Sequence, residues 1–417
     1  MPKLFSEFSP TNSEAWKHQI VKDLKAIDFE ALVWQTNSGI DIKPFYTKED
    51  VALTTEPFNL NPDWSICEYI KVDDSKLANA KAKNALQNGA SGLVFKIHQK
   101  TNFEVLCKDI LFEHIYSLFE VLPQFETELR SFLDSKKISA FCFVECDNIL
   151  SGKIKINDDV TSLALNTSIY NEAGASILNQ LAFSLAHVNE YLNEFAAQNK
   201  ILNIKHIHLT VAISGDFFME IAKLRALRKL LTFILQQYQS HAEVHIHAQT
   251  TLVNKTNIDI YNNLLRSTTE IMSASIGGAN SIVVFPFDLE SNDNNDFSSR
   301  MARNQQLILK EESYLNKVSD IAAGSYYIET ITKTLCEKAW DKFKMIENKG
   351  GFINALNQNE IQSIIKNDAD QLLTNFKEGK LILVGVNKFQ NKQAENTIKK
   401  KEINHPNSII PALRFLV

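Results

Sequence analysis

Between residues 245 and 329 the apolar and polar positions change period in quick succession, and much of the chain repeats that rhythm. HIHAQT (245–250) alternates like a strand. DIYNNLLRSTTEIMSASIGG then carries Ile260, Leu264, Ile271 and Ser275 near helical spacing, with two glycines suited to a helix exit. SIVVFPFD (281–288) is an apolar run of strand length, and SNDNND is a polar loop. FSSRMARNQQLILKEESYL opens a second helix, with Asp296 or Ser298 as its N-cap, and VSDIAAGSYYIE closes the stretch. Two strand–helix units without room for hairpins predict parallel strands.

Upstream the same pattern predicts strands at 64–71, 91–97, 138–145, 161–168 and 206–214, and downstream a short eighth near 318–328. Helical spacing lies between most of them, at 73–88, 173–197, 217–238, 258–275, 298–314 and 329–348, with another helix at 359–377. Eight strands alternating with helices over this length predict a (β/α)8 barrel of TIM type, spanning 56–380. The stretch 146–160 carries turn signals and no convincing helix. Residues 1–55 read as an extended N-terminal arm. Trp16, Ile20, Leu24 and Ile27 share one helix face, and Phe29, Leu32 and Trp34 follow, with nothing local to bury them. Such an arm must lie on its own barrel or on a partner. Residues 381–417 read as a truncated linker and polar tail, in which Lys399 to Lys401 are a solvated charge run.

Strand faces carry the chemistry. Ile207, Leu209, Val211 and Ile213 alternate with His206, His208, Thr210, Ala212 and Ser214. Leu163 and Leu165 alternate with Ser162, Ala164, Asn166 and Ser168, and His245, His247 and Gln249 share one face. The helix-facing side of a barrel strand must be apolar, so the small polar set is expected to point inward. An ordinary barrel of this type fills its centre with bulky branched residues. An interior built from Asn166, His208, His245, His247 and Gln249 must be wet, hydrogen-bonded to itself, or threaded by something polar. The paired histidines 206/208 and 245/247 have a spacing that can hold a metal, but no acidic pattern joins them, so no metal site is expected.

A chain of 417 residues can bury a large core, and its net charge of −5, spread evenly, offers no basic face to nucleic acid. The five cysteines are odd in number and form no CxxC, so reduced core thiols are expected, Cys142 and Cys146 among them. No apolar run is long enough to span a bilayer and the first twenty residues do not form a secretory signal, so a cytoplasmic protein is expected.

GGANSIVVFPFD followed by FSSRMARNQQLILKEESYLNKVSDIAAGSYYIE resembles the methylmalonyl-CoA mutase family, and within it the small, or β, subunits. The likeness extends to WKHQIVKDLKAIDFEALVWQT (16–36) with PFYTKED (44–50), to YNEAGASILNQLAFSLAHVNEYL (170–192) and to FFMEIAKLRALRKL (217–230), thinning after Phe389. The resemblance implies a radical carbon-skeleton rearrangement between methylmalonyl-CoA and succinyl-CoA, in propionate metabolism. Adenosylcobalamin supplies the radical, and the pantetheine arm of the substrate threads the barrel axis.

Several residues depart from the catalytic pattern. The family's cobalt-ligating Asp-x-His-x-x-Gly loop is absent, and the long members' cobalamin-binding domain is not expected here. The Tyr-His pair ahead of the Gln-Glu-Ala-Gly-Ala block falls on Ser168 and Ile169, and isoleucine cannot donate to a thioester carbonyl. The Arg-Gln-Tyr-Ala-Gly-Phe block has no counterpart near 56–70. The arginine for the substrate carboxylate falls in a stretch shortened around 152–162. Lys96 stands where an aspartate would be, and His245 replaces the arginine of the strand whose His247 and Gln249 still match. The resemblance therefore implies a subunit without catalytic residues of its own and without bound cofactor. It would pair as a heterodimer with a large subunit that carries adenosylcobalamin, the arm of residues 1–55 wrapping that partner, and self-association of the isolated chain stays open. Two competing readings are the catalytic barrel of a split acyl-CoA mutase served by a separate corrinoid domain, and a lone acyl-CoA-binding protein. Arg300 and Arg303 could clamp a phosphate, or fix their helix to the barrel rim or a partner.

Overall fold

Strands β1 (Ser65–Lys71), β2 (Gly92–Ile97), β3 (Tyr116–Val121), β4 (Phe141–Val144), β5 (Ser162–Asn166), β6 (His206–Ile213), β7 (Glu243–Thr250) and β8 (Ser281–Val283) surround a central bore. The computed structural model describes residues 6–8, 11–25, 28–51, 61–144, 162–289 and 295–391, the side chains of 142–144 excepted. All paired neighbours in the barrel run parallel, in the order β4-β3-β2-β1-β8-β7-β6-β5. First and last strands are thus neighbours, and the ends of the sheet are the consecutive strands β4 and β5. With helices on the outside, this is an α/β barrel of the TIM type.

Two apolar layers hold the helices on. Ile70, Leu93, Phe95, Ile97, Phe119 and Val121 face helices Ser75–Gln87 and Pro123–Lys136 on one side of the barrel. Leu163, Leu165, Ile207, Leu209, Ile246 and Ile282 face helices Ile177–Ala197 and Phe217–Gln237 on the other. Helix Ile177–Ala197 is buried without a break from Ile177 to Asn189. It lies between the barrel and an outer shell of helices Tyr326–Asn348 and Gly351–Asn357, which is why it is buried on every side, its polar Asn179, Gln180, Ser184, His187 and Asn189 included.

Part of the N-terminal arm lies on its own barrel. Ile40, Ile42 and Tyr46 enter the larger core, and the Tyr46 ring sits 5.6 Å from that of Tyr327. Helix Ser13–Asp23, in contrast, buries no residue. Its Trp16 rests on Phe29 and Phe45, which are themselves arm residues, and Trp34 stays 51% exposed.

Four features depart from the sequence expectation. The eighth strand is β3, not 318–328: YSLFEV is buried on both faces, so it shows no clean alternation, and it is followed by Pro at the start of a helix. Residues 318–325 instead form a turn, because Asp320 (φ 46°) and Gly324 (φ 78°) take left-handed conformations that no strand contains. Helix Tyr326–Asn348 begins directly after it, capped by Ser325. Strand 281–288 pairs only as far as Val283, and the run then meets Pro286, which has no N–H to give a ladder. The N-cap of helix Asp296–Leu307 is Asn295, whose side chain accepts from the Phe297 N–H, rather than Asp296 or Ser298. Cys146, the 146–160 stretch and the tail beyond Asn391 lie outside the described residues, as does the side chain of Cys142.

Candidate functional site in the barrel bore

The floor of the bore is closed by rings. Tyr116 opens β3, Phe141 opens β4, and His208 and His245 are paired in register on β6 and β7. The Tyr116 ring lies nearly parallel to His245 (5.0 Å, 5°) and to His247 (5.4 Å, 17°). Phe141 sits 4.5 Å from His208, and His208 stacks on His245 at 5.1 Å. These contacts join one side of the barrel to the other, and bring together β3, β4, β6 and β7. Gly92, beside Tyr116 in the ladder, leaves room for the plug: a Cβ there would lie 2.7 Å from Cys67 Sγ.

Hydrogen bonds within the plug set its protonation. Burial holds the Tyr116 hydroxyl far above its ordinary pKa, so it keeps its proton and donates to His208 Nε2 at 2.6 Å. Ser281 Oγ lies within hydrogen-bond distance of His245 Nε2 (2.9 Å) and His247 Nδ1 (2.7 Å). Burial, then mutual repulsion, pushes His208 well below the usual imidazole range. Burial likewise brings His245 and His247 down to about 3. All three are therefore neutral near pH 7. Replacing Tyr116 by Phe keeps the ring but strips His208 Nε2 of its donor. The expected cost is about 1–3 kcal/mol in urea unfolding, and an unchanged midpoint would show that the bond contributes nothing.

Above the plug, Cys67, Val94, Leu118 and Val283 fill the bore from β1, β2, β3 and β8. The two halves of the barrel therefore differ. Strands β1 to β3 bring Cys67, Val94 and Leu118 inward, with Lys96 and Glu120 two positions further along the same faces, and β5 to β7 bring the expected polar set. At the C-terminal mouth those polar groups satisfy each other: Asn166 Oδ1 accepts from Ser168 Oγ at 2.5 Å, and Gln249 Nε2 donates to Ser168 Oγ at 3.0 Å. Lys96 pairs with Glu120 at 3.4 Å on adjacent strands. Of the sequence-selected residues, His208, His245 and His247 meet at the floor, while Asn166, Ser168 and Gln249 meet at the mouth. Ile169 turns away from them and is 37% exposed. Sequence reasoning missed Tyr116, whose strand was not assigned, and it did not single out Phe141 and Ser281 although their strands at 138–145 and 281–288 were predicted.

Charged groups near the mouth are also paired. Lys223 reaches Glu220 at 2.5 Å, and Lys255 holds Glu270 at 2.8 Å, both pairs buried. Arg303 pairs with Glu68 at 2.9 Å and ties helix Asp296–Leu307 to β1, while Arg300 lies over the Phe297 ring at 5.7 Å. No three His, Cys, Asp or Glu side chains among the described residues converge as metal ligands. His98 alone of the described histidines follows the C-terminal end of a barrel strand, and its Nε2 lies 3.1 Å from Asp73. These residues do not fit a corrin seat. No described helix is long and apolar enough to cross a membrane.

The fold is an α/β barrel in which the described inward side chains of the floor pack on one another. The profile of the methylmalonyl-CoA mutase family matches residues 151–409, and the chain belongs to that family. It is 36% identical to a methylmalonyl-CoA mutase small subunit of Porphyromonas gingivalis, over 93% of this chain and 71% of that protein. It is 30% identical to a methylmalonyl-CoA mutase of Rhizobium meliloti (90% and 63% covered). It is 26% identical to the small subunit of Propionibacterium freudenreichii (87% and 66%). The chain thus spans between 63% and 71% of the length of these relatives.

Proposed function

We propose that this chain is the small subunit of an adenosylcobalamin-dependent methylmalonyl-CoA mutase, non-catalytic itself, which stabilises a catalytic large subunit in a cytoplasmic heterodimer. The observation that carries the reading is the ring plug. An acyl-CoA arm could follow the axis only by displacing Tyr116, Phe141 and the imidazoles, whose rings pack on one another across the bore. The mouth supports it, since Ile169 has no donor for a thioester carbonyl and Asn166, Ser168 and Gln249 are spent on each other. A barrel can dock through its outer helices and its arm whatever its centre contains. The exposed helix Ser13–Asp23 and the exposed Trp34 give such a partner apolar surface to cover. Cofactor and substrate then belong to the large subunit, and this chain contributes binding energy that opposes its partner's unfolding.

The test is mutase turnover with methylmalonyl-CoA and adenosylcobalamin for this chain, for the large subunit, and for the mixture. Silence from this chain, with a longer active lifetime of the partner on mixing, is the expected result. Turnover by this chain supplied only with a separate corrinoid domain would replace the proposal with the split-mutase reading.

A further inference from the structure

At the opposite end of the barrel from the mouth, a groove of about 1050 Å³ runs between the second half of helix Phe217–Gln237, helix Tyr326–Asn348 and the start of β7. It is outside the bore and shares no residue with the mouth. Phe233 and Trp340 meet edge to face in it at 5.1 Å, and Phe233 is left 44% exposed. Leu230, Leu235 and Val244 line it further.

Arg228 gives this apolar trough a polar end. Its terminal nitrogens donate to the carbonyls of Val244 (2.9 Å) and Gly278 (2.8 Å) and to Asn280 Oδ1 (2.8 Å), while Nε has no hydrogen-bond partner. No carboxylate pairs with it among the described residues. The acidic residues on the lining stand in solvent rather than against Arg228: Glu243 is 84% exposed, 3.9 Å from His206, and Glu337 is 64% exposed, 3.9 Å from Lys333. Burial without a counter-charge pulls the guanidinium down to about 10. A buried cation solvated only by neutral oxygens gains most from an arriving anion.

We propose that this groove is a binding site for an amphipathic carboxylate, its apolar chain lying along Phe233 and Trp340 and its carboxylate at Arg228. The groove, at the upper end of the usual range for small-molecule sites, has room for a ligand of about a dozen carbons. Lys229 on the same lining adds a positive charge, while the carboxylates Glu243 and Glu337 stand at exposed positions. The site is independent of the subunit role proposed above, and either can fail without the other.

Dodecanoate and its uncharged counterpart dodecanol are the probes, added to the full chain below their micelle or solubility limits and followed by calorimetry and tryptophan fluorescence. Dodecanoate is expected to bind one per chain, at least tenfold tighter than dodecanol. Arg228→Gln is expected to abolish that preference, with dodecanoate falling at least tenfold. Arg228 also ties β7 to the exit of helix Asn262–Ile276, so this variant can lose its fold. Phe233→Ser, at a half-exposed rim position, is therefore the second variant, expected to weaken both probes severalfold. Trp340→Leu is expected to remove the fluorescence response. Equal binding of the two probes, no binding of either, or an unchanged response in Phe233→Ser and Trp340→Leu would overturn the proposal.

Discussion

Lowering the pH from 7 to 5 is expected to remove several kcal/mol of stability, far more than the modest net charge suggests. His208, His245 and His247 in the plug, together with His187, are buried and neutral. His187 is brought down to about 3 by burial, and its Nδ1 lies 2.9 Å from the Tyr170 hydroxyl. In the unfolded chain each imidazole takes up a proton below about pH 6.5, and in the folded chain it does not. The unfolded state therefore binds more protons below that pH, and stability falls as the pH drops from 6.5 toward about 3. Each such group forfeits about 2 kcal/mol by pH 5. Asp216 acts in the opposite sense. Burial and Glu220 raise it to about 6, so the folded state gains its proton first and recovers part of the loss below that pH. Glu68, Glu270 and Glu347, raised by burial, also oppose the loss. Urea titrations at half-unit steps check the sum. His245→Gln, which cannot titrate, should flatten the profile by about one group's share, and a flat wild-type profile between pH 7 and 5 would contradict the neutral plug.

Arg225→Met is expected to cost about 3–5 kcal/mol, the largest effect of any single substitution considered. The guanidinium is buried between Asp320 and Glu329, reaching Glu329 at 2.7 Å. Methionine fills similar space but takes the guanidinium away from two buried carboxylates. Asp320 lies in the left-handed turn that sequence reasoning took for a strand, so the same bridge holds the loop before helix Tyr326–Asn348 on helix Phe217–Gln237. Denaturant unfolding measures the loss. Replacing Arg225, Asp320 and Glu329 together by apolar residues should recover most of it, because the penalty comes from the buried carboxylates left behind. A cost below about 1 kcal/mol for the single variant would mean that the carboxylates reach water.

The barrel was legible where one face of a strand is apolar throughout. Ile207, Leu209 and Ile213 against His206, His208 and Thr210 fixed both the strand and its inward side, and helices 217–238 and 329–348 were found within a few residues. Strand β3 escaped because Tyr116 to Val121 sits in a longer apolar stretch, HIYSLFEVLPQF, whose period is blurred by its neighbours. Residues 318–328 misled through composition. Two tyrosines and an isoleucine look like a strand, yet Ser325 and Glu329 are a helix-start signal that outweighed them. The polar inward set of β5 to β7 was readable, but its partners were not. Nothing local in Tyr116 or Phe141 says that they meet His245 and His208 across the bore. That fact belongs to the closure of the sheet.

The account depends most on the claim that this barrel holds no substrate. Counting methylmalonyl-CoA bound at saturation, by calorimetry on the reconstituted pair and on the isolated chain, tests it directly. One acyl-CoA per pair and none on the isolated chain is the result expected if Tyr116, Phe141 and the imidazoles close the bore. Two per pair, or a stoichiometric site on this chain alone, would contradict the plug and the role built on it.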